Sequence, residues 1–581
     1  QKQELLERLM ENTTLTSNNL TTDKSFNGTI WRPLNSDLND ELVFEVAQKN
    51  NISINLSKLL INRKISKIPN FLNSKLKDNI SFNDILKLNN LKKITSIFKK
   101  IKNDKKISIF SDYDVDGACA ASIFKKYLTQ FDIEVFVYIP NRLNEGYGLS
   151  TPACNKLLEF SSNILVLDCG SNNFDEQKYI NSQGAELLVI DHHECDHYFN
   201  ESIVINPKTP EDKSNLDDLC ATALSFLVIV FLNNEEIFEK KDVLQYLDLV
   251  SLATICDLVP LNNINRTLVK QGLRLINSDN SNKGIQTLIN LSKIKQKISE
   301  YHLGYIIGPR INAGGRMGES LLAYNLLSSE NIHQAVQFAQ IIELHNQNRQ
   351  KIQSKIVKEI DININNNLNI NFFYDEKWHI GVVGIIAGRL MRINNRPSFV
   401  MTQSNDLVVG SGRSQGEKNI GLLMMQATEK GILIKGGGHH KACGFTLKKE
   451  NVDDFKNFLI EETNNLEILN EKSYDSLIDV NVINNNLLSD LESLSPFGQQ
   501  NAEPIFKIEN AKIEILQIFK DKHAKLKVSD NLGFSCEGMF FDISSKELKN
   551  YLSNKPEFNC YFKVKKDTYS EKTIIHLEDI H

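Results

Sequence analysis

The 581-residue sequence lacks three kinds of pattern, and each absence excludes a class of protein. Its nine cysteines are scattered without CxxC pairs, so neither a disulfide framework nor a zinc site is expected, and a reducing cytoplasm fits. No apolar run reaches membrane-spanning length and the N-terminus has no apolar signal core, so we expect no membrane association. Net charge is only −5, so any binding of nucleic acid must come from local basic patches.

The chain is too long for one hydrophobic core, so several domains are expected. Strand-like and helix-like segments alternate between residues 107 and 206, which is typical of a parallel sheet with helices on both faces. The predicted strands are residues 107–111, 134–139, 163–168, 185–190 and 202–206. The pattern therefore predicts an α/β fold for this part of the chain.

Three of these strands end in acidic residues or histidine. Asp112, Asp114 and Asp116 follow the first strand and share an edge if the chain stays extended. Asp168 ends another strand, and the triplet 191–193 (DHH) ends a third. Clustered carboxylates raise one another's pKa, and Mg²⁺ or Mn²⁺ suits such oxygen ligands. Taken alone, the first cluster fits an acidic solvated loop equally well, but three endings at one sheet edge predict a site.

Glycine-rich segments recur in the second half of the sequence. Residues 308–318 (GPRINAGGRMG) predict a loop whose backbone can approach an anion, with arginine donors beside it. Residues 410–414 (GSGRS) and 436–444 (GGGHHKACG) predict a turn and another glycine-rich loop in a second domain. Between these domains, residues 331–360 have a helical pattern that predicts a connector.

The DHH triplet with its strand-end acids resembles the DHH phosphoesterase superfamily, and the glycine-rich segments narrow the match to the RecJ family of bacterial single-strand-specific DNA exonucleases. The resemblance covers nearly the whole chain beyond about residue 50. It implies a metal-dependent 5′→3′ exonuclease that acts on single-stranded DNA, releases 5′-mononucleotides and serves DNA repair and recombination.

By this resemblance the site holds two Mn²⁺ or Mg²⁺ ions. The implied ligands are Asp112, Asp114, Asp116, Asp168, His192 and Asp257. Asp168 would bridge the ions and share one of them with Asp114, with Asp112 as a further ligand or a neighbour. The sequence departs from the superfamily at Phe110, where many members have a histidine, so one ion would rely on Asp112 or water instead.

The resemblance also implies a phosphate-binding set. It comprises Arg142, His193, Arg310, Asn312, Arg316, Ser411, Arg413 and His439. His193 and Arg316 would hold oxygens of the scissile phosphate. Ser411 and Arg413 would bind the 5′-terminal phosphate, because arginine recognises such a group bidentately, although the two residues could instead only cap a turn.

Five short strand-like runs after residue 510 predict an OB-fold barrel, which proteins of the RecJ family carry at this place. A lysine cluster at residues 520–527 includes Lys522 and Lys525 and predicts a surface for a single strand. The predicted domains are an N-terminal extension (1–80), a DHH domain (81–318), a connecting helix (319–364), a DHH-associated domain (365–468) and an OB-fold domain (469–581).

Two other functions stay open at this point. A small DHH phosphodiesterase for short oligoribonucleotides or cyclic dinucleotides would share both catalytic modules but lack the long connector and the tail. An inactive DHH scaffold of a replication complex is disfavoured because every acidic ligand position is filled. For an exonuclease, the resemblance implies a bacterial cytoplasmic monomer that binds single-stranded DNA with a 5′ end and cooperates with a single-strand-binding protein and a helicase.

Overall fold

The computed structural model of the protein describes residues 25–35, 38–195, 201–361, 368–416, 418–464, 470–567 and 570–581. The chain forms two compact units. The larger unit comprises Ile65–Ile468 and Glu492–Glu503, and the smaller comprises Gln1–Lys64, Leu469–Leu491 and Pro504–His581. Residues 1–24 of the predicted extension, and residues 362–367 around the predicted start of the second domain, lie outside the described residues.

A five-stranded parallel sheet forms the centre of the DHH part of the larger unit, which confirms the predicted fold class. Across the sheet the strands are Glu134–Tyr138, Lys106–Ser111, Asn163–Leu167, Glu186–Ile190 and Ile203–Ile205. Alternate residues enter two apolar cores: Ile109 belongs to one and Phe110 to the other. The strands of a sheet that is covered on both faces are continuous apolar runs, and these strands have that pattern in the sequence.

Helices surround this sheet. In the DHH part and the connector they are Ile68–Asn73, Leu76–Asn79, Phe82–Ile85, Ile94–Asp104, Val115–Thr129, Thr151–Phe160, Phe174–Ser182, Ala221–Asn234, Leu247–Cys256, Asn263–Ile276, Lys283–Leu291, Glu300–His302, Gly308–Arg316, Leu321–Ser328 and Ile332–Asp361. Ala221–Asn234 is apolar on nearly all sides and almost wholly buried, as is typical of a helix in a core. Among the described residues, no helix has both the length and the apolar character needed to cross a membrane.

One predicted helix is broken. The apolar residues of 81–103 recur at a helical spacing, which predicts a single helix, but Phe82–Ile85 ends early and the chain resumes as Ile94–Asp104. The interruption lies at Asn90, which takes a left-handed backbone conformation with φ 63°. Its side-chain amide donates to the carbonyl oxygen of Val204 at 2.9 Å, so a long-range hydrogen bond holds the break in place.

The glycine-rich segment 308–318 is mainly a helix, Gly308–Arg316, so the prediction of a loop was wrong. Its glycines permit close packing. A Cβ atom on Gly308 would overlap the sulfur of Cys256, and one on Gly314 would lie 2.9 Å from the carbonyl oxygen of Glu319. The absence of side chains thus lets the helix approach its neighbours closely.

A second sheet of the larger unit lies in the DHH-associated part. Its strands in order are Lys435–His439, Ala442–Lys448, Leu407–Arg413, Ser398–Ser404 and Asn371–Tyr374, and its helices are Ile380–Asn394, Ile420–Glu429 and Val452–Thr463. The predicted turn at residues 410–414 and loop at 436–444 are therefore largely strands. Glycine is required there because a Cβ atom on Gly410 would overlap the ring of Phe445 in the neighbouring strand.

The helix Ile332–Asp361 is continuous over 30 residues, which confirms the helical pattern seen in the sequence. Ala335 and Ala339 pack into the core of the DHH part. Towards the other end, Ile356 and Ile360 pack into a core shared with the helix Ile380–Asn394. One helix therefore contributes to a core of the DHH part and to a core of the DHH-associated part.

The smaller unit contains a closed five-stranded barrel, as predicted for the C-terminal part. Around the barrel the strands are Phe506–Phe519, His523–Ser529, Ser535–Phe540, Thr573–Ile580 and Phe558–Lys566, the last pairing with the first. The further elements are the strands Ile30–Pro33, Glu471–Tyr474 and Ser476–Leu477 and the helices Asp40–Asn50, Ile54–Asn62, Asn485–Leu494 and Ser545–Ser553. The indole of Trp31 stacks on Tyr561 at 4.4 Å and donates to Asp579 at 3.0 Å.

Candidate metal and phosphate site

The site begins where three neighbouring strands of the parallel sheet end. Asp112, Asp168 and Asp191 each follow the last residue of a strand, and all three are almost fully buried. Asp168 adopts a left-handed backbone conformation with φ 61°, which is uncommon for a residue other than glycine. The sheet therefore brings three carboxylates to one buried edge. The strand endings predicted two of them, Asp112 and Asp168, with a histidine as the third group.

The next acidic residue, Asp114, caps a helix. The chain does not stay extended after Asp112, because the helix Val115–Thr129 begins one residue after Asp114. The Asp114 carboxylate accepts hydrogen bonds from the backbone N–H groups of Asp116 at 2.8 Å and Gly117 at 3.1 Å. Gly117 has to be glycine, since a Cβ atom there would overlap the carbonyl oxygen of Asp112.

Asp116 lies in the first turn of that helix and is buried. Its two carboxylate oxygens accept hydrogen bonds from the backbone N–H groups of Ala221 at 2.7 Å and Thr222 at 2.8 Å. Those groups begin the helix Ala221–Asn234, where free N–H donors favour an anion. The helix start thus fixes the orientation of the Asp116 carboxylate.

His192 lies among three carboxylates. Its Nε2 atom is 3.3 Å from Asp168, 3.6 Å from Asp257 and 3.7 Å from Asp116. Burial lowers the pKa of His192, which favours the neutral imidazole that metals bind. Asp257 ends the helix Leu247–Cys256, Asp116 lies in the first turn of another helix and Asp168 follows a strand, so two helices and a strand end converge on this histidine.

The ligand atoms form overlapping clusters in which all atoms lie within 4.8 Å of one another. The clusters are Asp112, Asp114 and Asp168; Asp116, His192 and Asp257; and Asp168, His192 and His193. Burial, and next the charge of a neighbouring aspartate, raises the pKa of Asp112 well above its usual range. The pKa of Asp168 is raised in the same way. Residues predicted as ligands are therefore close enough to share cations.

One atom of this site has an unmet hydrogen-bonding capacity. Within the described residues, the buried Oδ1 atom of Asp112 has no hydrogen-bond partner. A buried oxygen without a partner is costly in free energy. Divalent cations with oxygen-rich coordination fit such atoms, so the donor set suits Mg²⁺ or Mn²⁺. Phe110, at the position where many superfamily members have histidine, is buried in an apolar core and offers no ligand.

Asp191 was not among the predicted site residues, although it begins the DHH triplet. Its Oδ1 atom lies 2.7 Å from Nδ1 of His193, and its other oxygen accepts from the backbone N–H of Ser171 at 3.0 Å. Burial raises the pKa of Asp191, but the hydrogen bond and charge of His193 outweigh it, so the pKa is lowered overall. An aspartate next to two histidines at a strand end is the sequence signal that could have identified it.

Four arginines lie close enough together to affect one another. Burial, followed by the charges of Arg142, Arg349 and Arg413, lowers the pKa of Arg316 to about 9. The Arg316 guanidinium also donates to the carbonyl oxygen of Gly381 at 3.1 Å. Positive groups that repel one another favour a bound anion. Arg349, which lies on the connecting helix, had no signal in the sequence.

The residues predicted for the 5′ phosphate lie on two strands of the second sheet. Ser411 and Arg413 point to the same face of the strand Leu407–Arg413, and both lie against Gly384, with Arg413 Nη2 3.5 Å from the position of a Cβ atom. The alternative that they cap a turn does not apply, because they are in a strand. His439 ends the strand Lys435–His439, and burial, then the charge of Arg413, lowers its pKa.

The remaining predicted phosphate ligands differ in their surroundings. Arg142 places its guanidinium 4.8 Å from the ring centroid of Tyr113, and its charge acts on Asp112. Asn312 and Arg316 line a shared cavity of about 180 Å³. Arg310 is instead bound to Glu343 at 2.7 Å, so the structure gives it a partner within the protein.

The two predicted lysines of the barrel lie on the hairpin between its first two strands. Lys522 is exposed in the turn. Lys525 lies in the strand His523–Ser529 and forms an ion pair with Glu537 at 3.0 Å. A partly exposed pair of this kind contributes little to stability and exchanges readily for another anion.

Three stretches of the sequence match known domain families. Residues 106–254 match the DHH family N-terminal domain, residues 365–465 the DHHA1 domain, and residues 474–579 the RecJ OB domain. The three matches follow the order of the parallel sheet, the second sheet and the barrel.

Curated relatives match most of the chain. The single-stranded-DNA-specific exonuclease RecJ of Bacillus subtilis is 30% identical over 482 residues, which are 81% of this chain and 60% of that protein. The RecJ of Thermus thermophilus is 28% identical over 458 residues, which are 76% of this chain and 65% of that protein. The chain thus spans about 60–65% of the length of these two relatives.

Solved structures agree in fold. RecJ from Thermus thermophilus in complex with Mn²⁺ has a TM-score of 0.82 at 22% identity, covering 95% of this chain and 79% of that one. A second structure, exonuclease RecJ bound to manganese, has a TM-score of 0.58 at 27% identity and covers 66% of this chain and 96% of that one. The chain therefore carries DHH, DHHA1 and RecJ OB domains and is similar to RecJ proteins along most of its own length.

Proposed function

We propose that the protein is a single-stranded-DNA-specific 5′→3′ exonuclease that releases 5′-mononucleotides by metal-dependent hydrolysis of phosphodiesters. The observation that carries the proposal is the pairing of two surfaces: a buried group of carboxylates and His192 on one side, and the arginines around Arg316 on the other. A phosphodiester needs both, because its charge requires cationic donors and its hydrolysis requires stabilisation of developing negative charge.

The residues of the site fit two divalent ions, Mn²⁺ or Mg²⁺. Asp112, Asp114 and Asp168 would hold one ion. Asp116, His192 and Asp257 would hold the other, and Asp168 lies close enough to His192 to belong to both. When bound, the ions would supply Lewis-acid stabilisation of the reacting phosphate and lower the pKa of a water molecule.

The protein's own groups orient the phosphate. Arg316 offers guanidinium donors that its bond to Gly381 holds in position. His193 keeps one ring nitrogen against Asp191, so the other can face an oxygen of the phosphate. Arg142 adds positive charge near Asp112. These groups bind and orient the substrate, which supplies much of the rate enhancement in phosphoryl chemistry.

The direction of digestion would come from a pocket for the 5′-terminal phosphate. A terminal phosphate carries more charge than an internal one and an additional free oxygen. Ser411 and Arg413 present polar groups on one strand face, and His439 lies near enough for the charge of Arg413 to lower its pKa. Charge-assisted donors of this kind can distinguish an end from the middle of a strand.

The RecJ OB domain favours binding of a longer strand, with Lys522 and Lys525 contacting its backbone. The proposal includes a bacterial, cytoplasmic monomer that acts in DNA repair and recombination with a single-strand-binding protein and a helicase. It retains the domain boundaries predicted from the sequence, with the DHH domain at 81–318, the connecting helix at 319–364, the DHH-associated domain at 365–468 and the OB-fold domain at 469–581.

One assay separates this function from its two rivals. A 5′-phosphorylated single strand of about 30 nucleotides and a dinucleotide are each incubated with the protein, with and without Mn²⁺. We expect Mn²⁺-dependent release of mononucleotides from the long strand. Hydrolysis of the dinucleotide alone would indicate a small-substrate phosphodiesterase, and no hydrolysis of either would indicate an inactive scaffold.

The matched variants are Asp168→Ala and Asp175→Ala. Asp168 lies in the ligand clusters, whereas Asp175 is exposed on the helix Phe174–Ser182. Asp168→Ala should abolish cleavage while leaving the fold and binding of single-stranded DNA largely intact. Normal Mn²⁺-dependent turnover in Asp168→Ala would contradict the proposal.

A further inference from the structure

A basic and aromatic segment, residues 293–305, lies outside the site described above. It begins with three exposed lysines at alternate positions, Lys293, Lys295 and Lys297. Within the described part of the chain, none of the three forms an ion pair with a carboxylate. Three unneutralised cations close together on one segment attract a polyanion.

The same segment ends in an exposed aromatic pair. The rings of Tyr301 and Tyr305 stack with their centroids 5.1 Å apart and their planes 29° from parallel. Their exposed fractions are 59% and 68%, so both rings present a large apolar surface to solvent. A spacing of four residues puts them on one side of the helical turn. Exposed aromatic surface of this kind marks a binding site more often than a structural element.

The segment adjoins the candidate catalytic site. Gly304 lies between the two tyrosines in the sequence and lines the 180 Å³ cavity that also contains Asn312 and Arg316. Cys256 lines that cavity as well, and its thiol donates to the carbonyl oxygen of Leu303 at 3.7 Å. The residue after Cys256 is the candidate ligand Asp257. The turn that carries the two tyrosines therefore contacts the end of the helix Leu247–Cys256, directly before the candidate ligand Asp257.

The backbone around the pair is unusual. Leu303–Ile307 is a π-helical turn between Glu300–His302 and Gly308–Arg316. π-Helical turns are rare and concentrate at functional sites, because the extra residue in the turn shifts the side chains that follow. Ser299 and His302 form a capping box at the start of the helix Glu300–His302, so the tyrosines project from a fixed backbone.

We propose that Tyr301 and Tyr305 stack against bases of the single-stranded substrate and that Lys293, Lys295 and Lys297 bind its phosphates. The inference rests on the proposed function and adds a base-binding surface to it. Single strands expose base faces that aromatic rings can stack on, whereas the bases of a duplex are covered by their neighbours. The adjoining cavity, with Arg316, makes this surface continuous with the phosphate-binding side of the site.

Binding is measured by fluorescence anisotropy with a labelled single strand of about 20 nucleotides, in the Asp168→Asn background so that no strand is cut. Tyr301→Ala with Tyr305→Ala should raise Kd by roughly tenfold or more, since loss of one stacked base commonly weakens binding by about that factor. Replacement of both by phenylalanine keeps the aromatic faces and should change Kd less than about twofold. Phe44→Ala, at an exposed aromatic residue of another helix, is the matched control and should have no effect.

Abasic residues locate the contact. With single abasic sites placed stepwise along the strand, the protein with both tyrosines should lose affinity at a small number of positions. The double alanine variant should have lost that sensitivity. An unchanged Kd in the alanine variant, or equal sensitivity to abasic sites with and without the tyrosines, overturns the inference and leaves the surface for a protein partner.

A hydrolysis assay distinguishes failure of the base-stacking inference from failure of the proposed function. With Asp168 intact, the double alanine variant should hydrolyse a dinucleotide within about twofold of the unaltered protein, because the metal and phosphate groups are untouched. Loss of dinucleotide hydrolysis in the variant alone would show a structural role and overturn the base-stacking assignment. Absence of hydrolysis of both the dinucleotide and a long strand by the unaltered protein would instead overturn the proposed function, while the Kd values would still test the surface.

The lysines are tested by salt dependence. Replacing Lys293, Lys295 and Lys297 by alanine should reduce the slope of log Kd against log salt concentration by about 2, since each contact with a single strand contributes about 0.7. The control carries the same charge change at three exposed lysines elsewhere, Lys92, Lys93 and Lys99. Equal slopes for the two triple variants would show that general charge, not this segment, attracts the strand.

Discussion

The Nδ1 atom of His193 lies 2.7 Å from the Oδ1 atom of Asp191, and the same carboxylate accepts hydrogen bonds from the backbone N–H groups of His192 and Ser171. The DHH triplet thus has an internal division of roles. Asp191 is buried and orients both histidines, His192 faces the other carboxylates, and His193 remains partly exposed.

Asp191→Asn should therefore lower kcat about 10–100-fold with a smaller change in KM, because partners that orient the ligands and donors of a metal site commonly have effects of that size. It should also lower Tm, since an amide –NH₂ cannot accept from all the donors around it. His193→Ala should reduce kcat with little change in Tm, because its side chain is partly exposed. If Asp191→Asn keeps normal turnover, Asp191 does not position these groups; Asp175→Asn is the control.

Removal of metal should make the protein sensitive to pH. Burial, followed by the charges of Asp116 and Asp114, raises the pKa of Asp168 above its unfolded value, so the folded state binds the proton more tightly. Stability that depends on this proton is present at low pH and is lost as the pH rises through the folded pKa. In EDTA, Asp168→Asn should thus have a higher Tm than the unaltered protein at about pH 8, and the difference should shrink toward about pH 5.

Added Mn²⁺ should reverse that order at the higher pH. The unaltered protein should gain Tm with ion concentration, because an ion that binds only the folded state stabilises it by mass action. Asp168→Asn should gain much less. Differential scanning fluorimetry measures both trends, and identical Mn²⁺ responses in the two proteins would argue against Asp168 as a ligand.

The sequence was sufficient to predict the parallel sheet and to bring together most residues of the candidate metal site, because those features depend on local patterns. Buried strands are short apolar runs, and a residue that follows such a run must lie at the carboxyl edge of the sheet. Asp112 and Asp168 were placed in this way. Asp257 was named through the family resemblance, and its place at the end of an apolar helix, where a buried aspartate needs a partner, agrees with that.

Other features depend on neighbours that are distant in the sequence. The helix Gly308–Arg316 was expected to be a loop, because only the structure shows that Gly308 leaves room for Cys256. The strand containing Gly410 was expected to be a turn for the same reason, since Phe445 fills the space beside it. Arg349 could not be predicted, because its proximity to Arg316 depends on where the connecting helix packs.

A further prediction concerns recognition of the 5′ end of the DNA. If Ser411 and Arg413 bind the 5′-terminal phosphate, 5′-phosphorylated strands should be degraded faster than 5′-hydroxyl strands. Arg413→Ala should erase most of that difference. Arg389→Ala, on the helix Ile380–Asn394, is the control and should preserve it. Initial rates on paired substrates measure the ratio, and a protein indifferent to the 5′ phosphate, or one that starts at the 3′ end, would rule out the pocket.

The last prediction separates affinity from chemistry in the barrel. Deleting residues 469–581 would be a poor test. Trp31 stacks on Tyr561 and donates a hydrogen bond to Asp579, so the deletion would also remove the partners of Trp31. Point substitutions avoid this. Lys522→Ala with Lys525→Ala should weaken binding of a long strand and reduce its salt slope by roughly 0.7 for each lysine that contacts a phosphate.

The matched control for the barrel is Lys546→Ala with Lys549→Ala. These lysines are exposed on the helix Ser545–Ser553 of the same unit, and the change in net charge is identical. Hydrolysis of a dinucleotide should be unaffected in both variants, because, among the residues that the structure describes, the barrel contributes no group to the ligand clusters. If the hairpin variant and the control weaken binding equally, the hairpin has no special role. If the hairpin variant loses dinucleotide hydrolysis as well, the barrel supports the fold of the larger unit instead of binding the DNA.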